Sequence, residues 1–319
     1  PRLRRPCLVV LESTTWPGTT REVLAPLLAG PGRVLGETLL VAFSPEREDP
    51  GTAEHATGKV PKIVGGLDEP SARAAAALYG RLVPRVVPVR SAEVAESAKL
   101  LENIYRCVNI AMANEMKTIL DAMGIDVWEV IEAASTKPFG FAPFYPGPGL
   151  GGHCIPIDPF YLSWRARQFG VPSRFIELAG EINRRMPDYV LRRLQDALNR
   201  ARKPLDGSRI LLLGMAYKKN IGDIRESPTL HLVRELRARG AAVSYHDPHV
   251  PHAVSSRWGV DLRSVPLSAE TLRAQDAAVI VTDHDGVDYA MVVRHAPLVV
   301  DTRNAARGFP DPEGKIVRA

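Results

Sequence analysis

The sequence predicts an α/β protein in which two Rossmann-like domains are joined by an all-α connector of long helices. Two observations predict this architecture. Short apolar runs alternate with helical patterns at both ends of the chain, and between them apolar residues recur at helical spacing. The 319 residues are enough for two or three domains of ordinary size. We expect a first Rossmann-like domain over residues 1–90, a helical domain over 91–202 and a second Rossmann-like domain over 203–319.

In the first domain, apolar runs that end in turn residues indicate four strands with two helices between them. The strands are predicted at residues 7–12, 39–43, 62–66 and 85–89, and the helices at about 20–28 and 71–79. Strands that alternate with helices predict a parallel sheet. A strand–turn–helix that carries G-x-G-x-x-G, the dinucleotide-binding signature, is missing here.

The central residues follow a helical period. Apolar side chains step by four and three, as along one face of a single long helix: Val94, Ala98, Leu101, Tyr105, Val108 and Met112. We expect helices to continue to about residue 134, to stop over 138–152 and to resume from 159 to about 199.

The alternation of strands and helices returns after residues 203–207, which we interpret as a domain boundary. Strands are predicted at residues 210–214, 243–247, 278–282 and 298–301. Ser227 and Pro228 are a favourable N-cap and first residue for the helix after the first of these strands. Ligands are expected at the carboxyl ends of the strands.

Composition excludes several classes of protein. The net charge of +5 suits anionic ligands such as nucleotides, although an arginine-rich composition without functional meaning explains it equally well. The sequence has no basic tract interleaved with aromatic residues, so we expect no nucleic-acid partner. No apolar run approaches the ~20 residues of a membrane span, and the basic residues 1–6 precede no signal-peptide core. We expect a cytoplasmic protein without a membrane partner.

The three cysteines form neither an even disulfide framework nor a metal-ligand spacing, so we expect no metal site. Cys154 follows a segment rich in glycine and proline and precedes a helix expected to start near Asp158. A helix N-terminus stabilises a thiolate. A structural loop with a buried cysteine is the alternative, but this much glycine favours a catalytic thiol.

Polar residues form a second candidate group. Glu96, Lys99 and Asn103 recur at i, i+3 and i+7 on the long helix, and Asn114 extends the row. A solvated helix face explains such a row more simply than a buried polar track does.

Other candidates lie where predicted strands end. Thr14 and Glu46 follow two strands of the first domain, although turns use the same residue types. Lys218 and Lys219 follow the first strand of the last domain and precede a helix, an arrangement that can bind phosphate. A solvated basic loop is an equally good interpretation.

Taken together, these segments resemble the UDP-glucose/GDP-mannose dehydrogenase family. The matching stretches stand in family order along nearly the whole chain: residues 12–18 (ESTTWPG), 44–47 (SPER), 98–103 (AKLLEN), 151–158 (GGHCIPID), 218–227 (KKNIGDIRES) and 301–304 (DTRN). The form HCIPIDP at residues 153–159 is most similar to the branch that acts on UDP-N-acetylhexosamines.

The resemblance implies an NAD-dependent, four-electron oxidation of the C6 hydroxyl of a UDP-sugar to a carboxylate, for polysaccharide precursors. It implies that Cys154 attacks the C6 aldehyde and that the resulting thiohemiacetal is oxidised to a thioester. Thiolates suit this task because they are nucleophilic near neutral pH. Lys99 and Asn103 would stabilise the oxyanion in both steps.

The resemblance also assigns roles to the remaining candidates. Asp158 with Thr14 would hold and activate a water, and Glu46 would be the acid/base for thioester hydrolysis. Thr14, Glu46 and Arg225 are the implied cofactor contacts. The implied UDP-sugar contacts are Gly149, Leu150, Gly151, Gly152, Lys218 and Arg303.

The sequence departs from the family at its start, because the family opens with a glycine-rich turn that binds the NAD pyrophosphate. We therefore expect a truncated NAD-binding domain that is less stable than the C-terminal domain, and no turnover by these residues alone. A homodimer paired through the long helix is also implied. The alternatives are a non-catalytic module for UDP-sugar binding or dimerisation and, less favoured, a thiol hydrolase using Cys154 with His153.

Overall fold

The computed structural model describes residues 6–48 and 59–319, which divide into two compact units. The first unit comprises Pro1–Arg106 and Ile157–Glu177, and the second comprises Cys107–Pro156 and Leu178–Ala319. The three-domain division predicted from the sequence stays a prediction. Most of the basic N-terminal segment, residues 1–5, lies outside the described residues.

The first unit contains a four-stranded sheet in the order β1-β2-β3-β4. Its strands are β1 (Cys7–Leu11), β2 (Leu39–Phe43), β3 (Lys62–Gly66) and β4 (Val86–Val89). The β1–β2 and β3–β4 pairs are parallel, but β2 and β3 pair antiparallel, so the prediction of a parallel sheet is wrong for this pair. The sequence could not show this, because a five-residue apolar run carries no sign of its direction in the sheet.

Two helical segments accompany these strands. A π-helical turn (Thr20–Leu24) continues into α1 (Ala25–Leu28), close to the predicted helix. The second helix, α2 (Glu69–Tyr79), begins after Asp68, whose carboxylate accepts a hydrogen bond from Ser71 N at 2.8 Å. This N-cap satisfies a backbone donor that the helix leaves unpaired.

Four further helices follow along the chain: α3 (Ala92–Ala122), α4 (Val127–Ser135), α5 (Cys154–Gln168) and α6 (Arg174–Arg200). The predicted long helix and the predicted break after residue 138 are confirmed. However, α5 begins at Cys154, four residues before the predicted start near Asp158. Pro156 does not prevent this start, because the first four N–H groups of a helix have no partner within it. Pro159 lies inside α5, where it removes one backbone hydrogen bond and crowds the carbonyl of Ile155.

The second unit is built on a five-stranded sheet in the order β11-β10-β9-β5-β6, and every pair in it is parallel. Its elements, with an antiparallel hairpin of β7 and β8, are β5 (Arg209–Leu213), α7 (Pro228–Ala238), β6 (Ala242–His246), β7 (His252–Ser255), β8 (Val260–Arg263), α8 (Ala269–Arg273), β9 (Ala277–Ile280), α9 (Tyr289–His295), β10 (Val299–Asp301) and β11 (Ile316–Arg318). The predicted α/β fold is confirmed. The sequence did not indicate the hairpin or β11, whose strands are short and only partly buried.

The middle strand of this sheet shows how both faces are covered. Along β5, Ile210 and Leu212 belong to one apolar cluster, and Leu211 and Leu213 belong to another. Successive side chains of a strand point to opposite faces, so each face packs on its own apolar layer. In the part of the chain that the structure describes, no helix is both long and apolar enough to cross a bilayer.

Candidate active site

Cys154 is the first residue of α5, and its side chain is exposed. The interpretation of a buried cysteine in a structural loop is therefore wrong. At the N-terminus of a 15-residue helix, the backbone dipoles favour a negatively charged sulfur. By contrast, Cys107 is buried, and burial raises the pKa of its thiol. Of these two, Cys154 has the setting of a reactive thiol.

The glycine-rich loop before Cys154 lies against the loop that follows β5. Gly152 N donates a hydrogen bond to the carbonyl of Arg225 at 2.8 Å. A Cβ atom on Gly151 would come within 2.4 Å of the Tyr217 Cβ, so only glycine permits this approach. Leu150 packs on the apolar cluster that contains Cys107.

Arg303 lies just beyond the carboxyl end of β10, where ligands are expected in such a sheet. Its Nε donates to the carbonyl of Val281 at 2.9 Å. A Cβ atom on Gly147 would lie 2.5 Å from the Arg303 Nη1, so the guanidinium touches the backbone of the glycine-rich loop. Burial lowers the pKa of Arg303, and the charges of Asp283 and Asp301 oppose this shift.

The loop after β5, which carries Lys218, is anchored by a buried acid. Met215 N and Ala216 N donate to Asp247 Oδ2 at 2.7 and 2.9 Å. His284 Nε2 lies 3.0 Å from the same oxygen, and its Nδ1 accepts from Asn220 N at 2.9 Å. Because Nδ1 accepts a hydrogen bond, the imidazole proton is on Nε2 and is donated to Asp247.

The pKa of Asp247 reflects these bonds. Burial raises it, but the hydrogen bond from His284 and those from the backbone of Ala216 and His249 lower it to about 2. Asp247 is therefore ionised at neutral pH. Sequence reasoning missed Asp247 and His284, because nothing in the sequence pairs two residues 37 positions apart.

The two lysines after β5 differ in their surroundings. Lys219 forms an ion pair with Asp285 at 2.7 Å, whereas Lys218 is half-buried. Arg225, the implied cofactor contact, is exposed and forms an ion pair with Asp223 at 2.6 Å. The ligand-binding roles of Lys218 and Arg225 stay predictions.

In the first unit, the structure brings two predicted catalytic residues together. Asn103 Nδ2 donates to Asp158 Oδ2 at 2.8 Å, and both side chains are buried. Lys99, one helical turn before Asn103, is half-buried. Glu96, Asn103 and Asn114 are 0%, 6% and 0% exposed, so the interpretation of this row as a solvated helix face is wrong.

Glu96 belongs to the polar row predicted on α3, although the family resemblance gave it no role, and it fixes the segment that follows Thr14. Its carboxylate accepts from Gly18 N at 2.6 Å, from Thr20 N at 2.9 Å and from Thr20 Oγ1 at 2.7 Å. Burial raises the pKa of Glu96, and these hydrogen bonds oppose the shift. Thr14 itself is half-buried, and its role stays a prediction.

Glu46, just beyond the carboxyl end of β2, is held by a buried lysine. Lys62 Nζ donates to Glu46 Oε2 at 3.0 Å, and the N–H groups of Arg47 and Glu48 donate to Oε1. Burial raises the pKa of Glu46, but Lys62 and the two backbone donors lower it further, so the net shift is downward. An ionised carboxylate suits the base half of the predicted acid/base role.

The predicted site residues thus fall into two groups, one in each unit. The first unit holds Thr14, Glu46, Lys99, Asn103 and Asp158. The second unit holds Cys154, the glycines that precede it, Lys218, Arg225 and Arg303. That the Cys154 thiol faces Lys99 and Asn103 stays a prediction.

Cys154 is exposed and follows a glycine-rich loop that lies against the parallel-sheet domain. Comparison with known protein families agrees with this arrangement. The chain belongs to the UDP-glucose/GDP-mannose dehydrogenase family: the family's NAD binding domain matches residues 1–83, its central domain matches 93–185 and its UDP binding domain matches 211–308. An NAD binding domain is therefore present, and its match gives no evidence of the expected truncation.

Two of the relatives are named as dehydrogenases of N-acetylated sugars. The chain is 36% identical over 313 residues to an NDP-N-acetyl-D-galactosaminuronic acid dehydrogenase of Ralstonia solanacearum, covering 95% of this chain and 71% of that protein. It is 34% identical over 287 residues to a UDP-N-acetyl-D-mannosamine dehydrogenase of Methanococcus maripaludis, covering 89% of this chain. The chain spans only 61% of the length of that relative.

A solved structure has the same fold. The UDP-D-ManNAc dehydrogenase of Pyrococcus horikoshii matches with a TM-score of 0.85 and 33% identity, covering 97% of this chain and 72% of that one.

Proposed function

We propose that this protein carries out the NAD-dependent oxidation of the C6 hydroxyl of a UDP-N-acetylhexosamine to a carboxylate, for polysaccharide precursors. The observation that carries the proposal is the exposed Cys154 at the N-terminus of α5, behind the glycine-rich loop. Family membership and the acetamido sugars in the names of its relatives support the reaction and the class of substrate.

Cys154 is the proposed nucleophile. After the first oxidation, its thiolate would add to the carbonyl carbon of the C6 aldehyde, forming a C–S bond and placing a negative charge on O6. Loss of a second hydride from this thiohemiacetal would give a thioester. Addition of water and rupture of the C–S bond would then release the carboxylate and the thiol. A thiol suits both halves of this sequence, because it is a good nucleophile and a good leaving group.

Asn103 and Asp158 are proposed to act as a pair, since their side chains are hydrogen-bonded at 2.8 Å. In this geometry, Asp158 can accept a proton from a water while it orients the Asn103 amide. With Lys99, Asn103 would offset the charge that grows on O6 in both tetrahedral intermediates. Glu46, held as a carboxylate by Lys62, would serve as the base for the attacking water.

Two observations fit an NAD site in the first unit. The parallel strands β1 and β2 end side by side, and Ser13, Thr14 and Glu46 follow their carboxyl ends with exposed or half-buried side chains. Hydroxyl and carboxylate groups suit the ribose hydroxyls and the carboxamide of a dinucleotide. When bound, NAD⁺ would accept one hydride in each oxidation, so one alcohol, one water and two NAD⁺ give one carboxylate, two NADH and three protons.

The UDP-sugar is proposed to bind the second unit. Lys218 and Arg303 would supply positive charge at the carboxyl ends of β5 and β10. The backbone of residues 149–152 would approach the sugar closely, because this part of the loop has only one side chain beyond glycine, that of Leu150.

We further propose that the protein forms a homodimer through α3. An apolar stripe runs along one face of this helix with its side chains exposed: Leu101, Tyr105, Met112, Met116, Ile119 and Met123. Leu101, in the first half of α3, and Met123, immediately after its last residue, are both 67% exposed. A stripe this long is unusual for a surface that faces only water, and a second copy of the same helix is complementary to it.

The test compares Cys154→Ser with the wild-type chain in one preparation. Calorimetry measures UDP binding, absorbance measures NADH formation with a panel of UDP-N-acetylhexosamines, and light scattering measures the mass in solution. We expect a dimer in which Cys154→Ser retains UDP affinity but loses at least 1,000-fold in NADH formation.

The control is Cys107→Ala, which removes the buried thiol and should retain turnover. UDP binding without turnover by the wild-type chain would favour the binding-module alternative, and turnover by Cys154→Ser would exclude the covalent role. A monomer at micromolar concentration would contradict the dimer.

A further inference from the structure

Two buried asparagines lie beneath the glycine-rich loop, in the second unit. Asn114 on α3 and Asn183 on α6 are 0% and 3% exposed. The N–H of Gly147 donates to Asn114 Oδ1 at 2.9 Å, and Asn114 Nδ2 donates to Asn183 Oδ1, also at 2.9 Å. Asn183 Nδ2 then donates to the carbonyl of Cys107 at 3.1 Å. An unbroken chain of hydrogen bonds therefore joins the loop backbone to the α3 backbone.

This chain of bonds has a single direction. Each amide uses its oxygen toward the loop and its nitrogen toward Cys107, so turning either amide over would oppose two donors or two acceptors. Burying two amides costs free energy unless both are satisfied, and leucine, which has the same number of side-chain heavy atoms, does not carry that cost. A fully satisfied buried pair specifies one arrangement of the groups that it joins. Here the group at its end is Gly147 N.

The loop lacks the repeated backbone hydrogen bonds of a helix or a strand. Residues 146–151 form no helix or strand, and fixing each residue of such a segment costs about 1–2 kcal/mol of conformational entropy. Gly152 is held at the other end by the Arg225 carbonyl. The bonds at Gly147 and Gly152 thus bracket the loop, and Cys154 begins α5 two residues after the second of them.

We infer that Asn114 is a positioning residue for the Cys154 thiol. It holds Gly147 so that the loop delivers Cys154 to the first position of α5 and meets the Arg303 guanidinium at the same time. Asn183 accepts from the other end of the Asn114 amide, so the bond to Gly147 is made by Asn114 itself. The inference rests on the proposed function for its catalytic meaning, but its geometry can be tested without turnover.

The test compares Asn114→Leu with its matched control, Asn183→Leu. Each variant replaces one buried amide, but only Asn114→Leu removes the acceptor for Gly147. Two readouts are used: hydrogen exchange of the peptide spanning residues 144–153, and the pH dependence of alkylation of Cys154 by iodoacetamide, quantified by mass spectrometry of the Cys154 peptide.

We expect Asn114→Leu to speed exchange in this peptide at least tenfold. It should also slow Cys154 alkylation at pH 7 at least threefold and move the alkylation profile to higher pH. Asn183→Leu should change both readouts less than twofold at a similar loss of thermal stability. Should Asn114→Leu not fold, Asn114→Ala is compared with Asn183→Ala in the same way.

Equal effects of the two substitutions would overturn the inference, because packing alone would then explain them. An unchanged alkylation profile in the Asn114 variant would overturn it as well. Failure of the wild-type chain to form NADH would count against the proposed function only, since neither readout depends on turnover.

Discussion

The two sheets both have buried central strands, but the apolar clusters packed on them differ in size. In the second unit, β9, β10 and the last four residues of β5 are buried between two large clusters. In the first unit, β3 and most of β2 are also buried, but the clusters on this sheet are smaller, and β2 meets β3 through only two residue pairs. A parallel sheet covered on both faces draws its stability from its core. Because less apolar surface packs on its sheet, we expect the first unit to be the less stable of the two.

The largest expected effect is a difference in unfolding between the units. The chain has four tryptophans: Trp16 and Trp164 form an edge contact at 5.0 Å in the first unit, and Trp128 and Trp258 lie in the second. When Trp128 and Trp258 are replaced by Phe, the remaining tryptophan fluorescence comes from the first unit, and we call this variant the first-unit reporter. When Trp16 and Trp164 are replaced instead, the fluorescence comes from the second unit, and this variant is the second-unit reporter.

We expect fluorescence of the first-unit reporter to change at a urea concentration lower by about 1 M. This corresponds to roughly 2 kcal/mol at ordinary denaturant sensitivity. Coincident transitions would show that the chain unfolds as one cooperative body and would remove the contrast.

The next effect separates the units by pH. Because the pKa of Asp247 is lowered to about 2 from its ordinary value, ionised Asp247 stabilises the folded second unit. The linked stability is present above about pH 4 and is lost as the pH falls toward 2, on the order of 2 kcal/mol. Urea unfolding at pH 4.5 and pH 2.5 should show this loss, and Asp247→Asn should abolish it and be less stable at neutral pH.

Glu96 should give the opposite sign in the first unit. Burial raises its pKa, so protonated Glu96 favours the folded state. Its contribution is present below the unfolded pKa of about 4.3 and is lost as the pH rises through the folded value. Glu96→Gln should therefore flatten the pH dependence of the first-unit reporter above about pH 4. A loss of stability toward acid at both reporters would contradict this contrast.

The smallest effect should be alike in the two units. Asp68 caps α2 through Ser71 N at 2.8 Å, and Ser227 caps α7 through Thr229 N at 3.3 Å. Replacing either by alanine should cost about 1 kcal/mol, since capping is local to the helix end. Equal losses in the free energy of unfolding at the two reporters would indicate that the difference in stability between the units comes from their cores. A loss at Asp68 several times larger than at Ser227 would show that helix ends contribute to it.

Much of the fold could be predicted because the signals were local. The apolar runs at residues 39–43 and 62–66 became β2 and β3 without a change of boundary, since turn residues flank both. The N-cap at Ser227 was predicted from two adjacent residues, and the structure confirms it. The predicted parallel pairing of β3 with β2 was wrong, because the direction of pairing depends on the path that the chain takes between the two strands.

The site was harder to predict because its bonds join distant residues. Cys154, Asn103 and Asp158 stood out through the family motif, but the Asn103–Asp158 bond joins residues 55 positions apart. The polar row on α3 was taken for a solvated face, since spacing alone cannot show which elements cover a helix. Asn183 carried no signal at all in the sequence. Its role became visible only in the structure, where it accepts a hydrogen bond from Asn114.

The close approach at Gly151 has a consequence for how this gene can vary. Every single-base missense change of a glycine codon introduces a residue with a Cβ atom. At Gly151, that atom would collide with the Tyr217 Cβ and would lie 3.1 Å from the Glu226 carbonyl oxygen. Homologues that lose Gly151 should also have altered Tyr217, and a saturation library of this loop should return almost only glycine at codon 151. At Gly147 the nearest atoms are the end of the Arg303 side chain, so more substitutions should be accepted there.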